Sequence, residues 1–82
     1  MENIFSKRLK ELRSGMELSQ AKLSKILSIP RQTYDNWEQG HSQPNFDRLI
    51  QLSLFFDVSV DYLIGNSNDM YGHNTNKKTD TI

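Results

Sequence analysis

The chain has no cysteine and only two prolines. Without thiols, neither a disulfide framework nor a thiolate zinc site can staple the fold, and nothing argues for secretion. No run approaches the roughly 18 apolar residues of a membrane span, and Met1-Glu2-Asn3-Ile4 does not open as a signal peptide does. The two histidines, His41 and His73, have no ligand cluster around them, so no metal is expected. A Gly-rich phosphate loop, a His–carboxylate–nucleophile set and paired buried acids are equally missing. Neither β-branched alternation nor an Asn-Gly turn marks a sheet. These absences predict a cytoplasmic protein that is not an enzyme and needs no cofactor.

What is present fits one small domain. At 82 residues the chain buries only about 60% of its unfolded surface, so its core must be built from short elements. Formal charge is zero, but it is unevenly spread. Residues 1–34 carry a net +4, residues 35–69 a net −5, and the remainder +1. Such a chain is able to offer a basic face to an anionic partner. Composition shifts near Gly65: 26 of the first 65 residues are apolar, against Met70, Tyr71 and Ile82 alone among the last 17. Residues 1–65 are therefore expected to form the domain, and residues 66–82 a flexible polar tail.

The first 65 residues predict five short helices. Phe5, Leu9, Leu12 and Met16 share one face of the first, which Gly15 ends. Ser19 is a good N-cap for a second helix with Leu23 and Leu27 on one side. Pro30 suits the first turn of a third, which points Tyr34 and Trp37 inward and stops at Gly40. Asn45 caps a fourth, with Phe46, Leu49, Leu52 and Phe56 inward and Asp47 in its first turn. Ser59 caps a fifth, Val60 to Ile64, closed by Gly65. The class is all-α.

Two short helices joined by a three-residue break, the second rich in Arg, Gln, Thr and Asn, describe a helix-turn-helix over about residues 19–39. A helix presenting Arg31, Gln32, Thr33 and Asn36 offers side chains suited to bidentate pairing with guanine or adenine edges. Lys and Glu would be the ordinary choice for a helix that is merely solvated. The segment Leu18–Gly40, with Ser19-Gln20 at its start and Trp37-Glu38-Gln39-Gly40 at its end, resembles the Cro/phage-repressor (XRE) helix-turn-helix family. The flanks, Arg8-Leu9-Lys10-Glu11-Leu12-Arg13 and Phe56-Asp57-Val58-Ser59-Val60-Asp61-Tyr62-Leu63, resemble it as well.

That resemblance implies a five-helix, lambda-repressor-like domain that binds double-stranded DNA and regulates transcription, most simply as a repressor. It implies base reading by Arg31, Gln32 and Asn36, and a phosphate contact by Gln20, helped by free N–H groups at the helix start. Gln39, His41 and Ser42 are further candidates for the DNA backbone. Arg13 and Glu38 match a partly buried structural ion pair. Ser28 stands where the family often has glycine, and Pro30 where it has a hydroxyl N-cap, so Ser28 is a candidate cap. Ser24 and Ser53 replace buried alanines and must bond back to a carbonyl one turn earlier. Asp35 puts an acid on the reading helix, either accepting from cytosine or facing solvent.

Family members commonly bind as twofold dimers on palindromic sites. Leu54, Val60 and Ile64, with Ile26, are apolar beyond what the core needs, and the first three are candidates for a homodimer contact. The competing reading is an antitoxin that represses its own promoter and engages a toxin, its protein partner, through residues 66–82.

Overall fold

The computed structural model describes residues 3–71. Five helices follow in order: α1 (Ile4–Gly15), α2 (Gln20–Leu27), α3 (Arg31–Gln39), α4 (Phe46–Phe56) and α5 (Val60–Ile64). No strand occurs among the described residues, so the class is all-α. The chain divides into two units, one ending at Pro44 and the other beginning at Asn45.

In the first unit α3 packs against both α1 and α2. Asn3 starts α1 by accepting from the Ser6 N–H at 2.8 Å. Phe5 and Leu9 are buried and Leu12 is half-buried, but Met16 is exposed rather than inward. The helix has already ended there: Met16 is the C-cap. The left-handed residue that turns the chain is Glu17 (φ 58°), not Gly15.

Ser19 caps α2 by accepting from the Lys22 N–H at 3.0 Å, and Leu23 and Leu27 are buried. The Ser24 hydroxyl donates to the Gln20 carbonyl at 2.7 Å, one turn back. Ser28 ends α2 in the left-handed region (φ 57°), with Ile29 N–H donating to the Ser24 carbonyl at 2.9 Å. Ser28 is thus a C-cap, and it does not cap α3. Pro30 occupies that N-cap position rather than the first turn, and α3 has no side-chain cap bond. Proline brings no donor or acceptor side chain to the position, but its φ of −55° is already that of a helix entry. Ile29, Tyr34 and Trp37 are buried, and the two rings meet edge to face at 6.0 Å. The hydroxyl of buried Ser6 donates to the Trp37 carbonyl at 2.5 Å, tying α1 to α3.

In the second unit Asn45 caps α4 through the Arg48 N–H at 2.9 Å, and Ser59 caps α5 through the Tyr62 N–H at 3.0 Å. Leu52, Val58 and Leu63 are buried, while Leu49 and Phe56 are half-buried. Ser53 bonds back to the Ile50 carbonyl at 2.8 Å. Phe46, expected inward, is 83% exposed. It shares a helix face with Ile50 (50%) and Leu54 (76%) at a spacing of four, beside the stripe that holds Leu49, Leu52 and Phe56.

Asp57 (φ 56°) and Gly65 (φ 86°) end α4 and α5 in left-handed conformations. Past Gly65 the chain turns back: Asn66 N–H donates to the Asp61 carbonyl, and Ser59 N–H to the Met70 carbonyl, each at 2.8 Å. Asn66 and Met70 are thereby hydrogen-bonded to Asp61 and Ser59 near the start of α5, where composition suggested a flexible tail. Backbone groups close these bonds, so side-chain polarity gives no sign of them. The rest of the expected tail, and most of the expected toxin-binding segment, lie outside the described residues.

Candidate nucleic-acid interface

α3 carries the expected reading residues in its first two turns. Arg31 and Gln32 are exposed, while Thr33 and Asn36 are half-buried. Residues four apart share a helix face, and here Gln32 Nε2 donates to Asn36 Oδ1 at 3.1 Å. The bond fixes both amides, leaving the Gln32 carbonyl to accept and the Asn36 NH2 to donate. Asn or Gln set this way presents the donor–acceptor pairing that an adenine edge requires.

The helix is held from beneath. Arg13 Nε donates to Glu38 Oε2 at 2.6 Å and Nη2 to Oε1 at 3.1 Å, a two-pronged pair between α1 and the end of α3. Arg13 Nη1 also donates to the Leu18 carbonyl at 2.8 Å, which fixes the entry to α2. Burial by itself would raise the Glu38 carboxyl. Hydrogen bonds from Arg13, and to a smaller extent from Gln20, outweigh it and hold the group below its ordinary value. The bond to Glu38 raises the Arg13 guanidinium against the opposing effect of burial. Tyr34 is pushed well up, by burial first and by Glu38 second. Its buried hydroxyl has no hydrogen-bond partner among the described residues at ordinary geometry.

The candidate backbone contacts surround this core. Gln20 Nε2 donates to Asp35 Oδ1 at 3.1 Å and to Glu38 Oε1 at 3.0 Å. Gln39 Nε2 donates to Asp35 Oδ2 at 2.8 Å. Asp35, expected to face either a base or solvent, is instead half-buried and takes an amide on each oxygen. Sequence reasoning missed this junction because no local pattern links residues 20 and 35; only the packing of α2 on α3 does. Ser6 escaped notice for the same reason, a lone serine on an apolar face. His41 and Ser42 are exposed, and their N–H groups both donate to the Asn36 carbonyl, at 2.9 and 3.4 Å. Those N–H groups are spent on ending α3, so only the two side chains face outward.

A sequence model of the helix-turn-helix family matches residues 9–63. The chain belongs to this family, in its Cro/phage-repressor branch. Its relatives include the HTH-type transcriptional regulator YqaE of Bacillus subtilis (strain 168), 37% identical over 92% of this chain and 66% of the relative. The HTH-type transcriptional activator BcrR of Enterococcus faecalis is 37% identical over 73% of this chain and 29% of its own length. Repressor protein C2 of Salmonella phage P22 is 28% identical over 74% and 28% respectively. This helix-turn-helix chain thus spans less than two thirds of each of the three. The fold of a crystallised transcriptional regulator from Listeria innocua matches it with a TM-score of 0.73 at 22% identity, covering 88% of this chain and 67% of that one. No described helix is long and apolar enough to cross a membrane.

Proposed function

We propose that this helix-turn-helix chain is a sequence-specific DNA-binding regulator that represses transcription in the cytoplasm by occupying an operator. The observation that carries the reading is the Gln32–Asn36 pair beside exposed Arg31, on a helix anchored by Arg13, Glu38 and Ser6. In this reading Arg31, Gln32, Thr33 and Asn36 face base edges in the major groove. The start of α2 and the side chains of Gln39, His41 and Ser42 lie along the phosphates. Relatives named as an activator and as a repressor both exist, so the name alone does not choose the sign. Repression is favoured because occupying a site needs only the domain, whereas activation needs a further contact with polymerase. Two copies on a palindromic operator complete the reading, through apolar residues on α4 and α5 that remain exposed.

The test is selection of bound duplexes from a random pool, followed by substitution. Arg31→Ala is expected to cost about 1–3 kcal/mol on the selected duplex and to relax preference at one base pair. Equal losses on selected and random duplexes would overturn the base-reading assignment.

A further inference from the structure

Asp35 stands where the donors proposed for phosphate are being used. A glutamine amide has two N–H groups, and Gln20 spends both, one on Asp35 and one on Glu38. Gln39 gives an N–H to the other Asp35 oxygen at 2.8 Å. Glu38 is neutralised by Arg13, but among the described residues no cation pairs with Asp35. Among the described residues its charge is therefore met by amide donors. A DNA phosphate that takes a side-chain contact at the start of α2 would call on the same amides, because a carboxylate and a phosphate oxygen ask for the same thing from an N–H. It would also meet the Asp35 charge at close range.

We propose that Asp35 is a positioning residue that limits how tightly the DNA backbone is held, by competing with phosphate for the amides of Gln20 and Gln39. In the free protein the competitor wins, and the two glutamines are parked on it. On DNA, Gln20 serves a phosphate only by leaving Asp35. The favourable contact is largely offset by the one given up, so Gln20 contributes little net affinity while Asp35 is present. Two other roles predict the opposite behaviour. If Asp35 held Gln20 ready for phosphate, removing it would weaken every duplex. If Asp35 accepted from a cytosine, removing it would relax preference at a single base pair.

The proposal rests on the DNA-binding reading above, and its test separates the two. The full chain is titrated against its selected duplex and against a mixed-sequence duplex of about 20 base pairs, as wild type, Asp35→Ala, Asp35→Asn, Gln20→Ala and the double variant Asp35→Ala/Gln20→Ala. Asp35→Ala is expected to tighten both duplexes by about tenfold, the worth of one charge-assisted hydrogen bond. Asp35→Asn keeps an acceptor and loses the charge, so it should tighten them by less. Gln20→Ala should cost several-fold less affinity in the wild-type background than in the Asp35→Ala background, where it should remove most of the tenfold gain. That dependence on background is a readout that loss of charge alone would not produce. Ala suits a helix interior, and thermal melting of each variant confirms folding. Side-chain amide signals of Gln20 that shift in Asp35→Ala would show the parked state directly by NMR. A wild type that leaves every duplex unbound would overturn the DNA-binding reading and this proposal together. Wild-type binding with Asp35→Ala unchanged, weaker, or altered at one base pair only would overturn this proposal alone. So would a Gln20→Ala effect that is the same in both backgrounds.

Discussion

Arg13 and Glu38 place opposite charges where little water reaches, with the glutamate side chain 1% exposed and the arginine 16%. Burying two ions is expensive, and the pair persists because each nitrogen of the guanidinium has an acceptor and the carboxylate takes three N–H groups. Removing one partner strands the other. Arg13→Ala is therefore expected to destabilise the chain by about 3–5 kcal/mol, seen as a lower melting temperature. The loss should carry a pH signature. The Glu38 carboxyl lies below its ordinary 4.5 in the folded chain, so the unfolded chain takes up its proton first as pH falls. Stability from this group is present in full above about 4.5 and drains away as pH drops through the lowered folded value. In Arg13→Ala the main opponent of burial is gone, and that acid-side loss should shrink or reverse. Denaturant melts of both proteins between about pH 3 and pH 7 check it; parallel pH curves would show that the pair does not set the Glu38 proton affinity.

At the scale of elements, Gly15 is a place where the chain has kept flexibility it does not need. It is the last residue of α1, its φ is not positive, and a Cβ built there meets nothing within 4 Å. Gly15→Ala is expected to stabilise by about 0.5–1 kcal/mol, chiefly by restricting the unfolded chain. Calorimetry showing a lower melting temperature would refute it. The same residue shows how far local chemistry can be read. Caps are short-range, so Ser19, Asn45 and Ser59 announced helix starts, and Gly40 and Gly65 announced stops, from sequence alone. Left-handed turns at Glu17 and Asp57 are less visible, because nothing in those residue types demands the conformation; at Ser28 the resemblance alone pointed to it, through the glycine often found there. Periodicity does not place Phe46 on α4, because apolar residues span more than half of that helix and so do not choose a side. Within the candidate site, the reading residues were legible as exposed polar types at the start of a helix. The Asp35 junction was not, since its partner Gln20 lies 15 residues away in sequence.

At the scale of the whole molecule, net charge is zero, so attraction to an anionic polymer depends on asymmetry rather than total. The positive excess lies in residues 1–34, which include the start of α3. The exposed apolar side chains Leu54 and Ile64 lie in the other unit, with Phe46 and Ile50 beside Leu54 on α4. One unit thus holds the residues proposed to read bases, and the other holds surface that water does not favour. A single reading helix touches few base pairs, so a second copy bound one helical turn away, roughly 34 Å along the duplex, multiplies the information read. Val60 is half-buried, and a charge there risks the α5 fold, so the sharper probes are Leu54→Glu and Ile64→Glu together. Ile26, similarly exposed at 49% but in the first unit, supplies the control Ile26→Glu. Wild type should occupy the two halves of a palindromic duplex cooperatively. The double variant should bind each half independently, with half-site affinity changed by less than about threefold, and Ile26→Glu should keep cooperativity. A contact built from a few exposed side chains such as Leu54 and Ile64 holds two copies together weakly without DNA, so sedimentation of the free chain should show mostly monomer at low micromolar concentration. Footprinting across a titration decides it. If the wild type fills one isolated half-site as readily as the full palindrome, no contact between copies contributes, and the apolar face of α4 and α5 has no part in binding DNA.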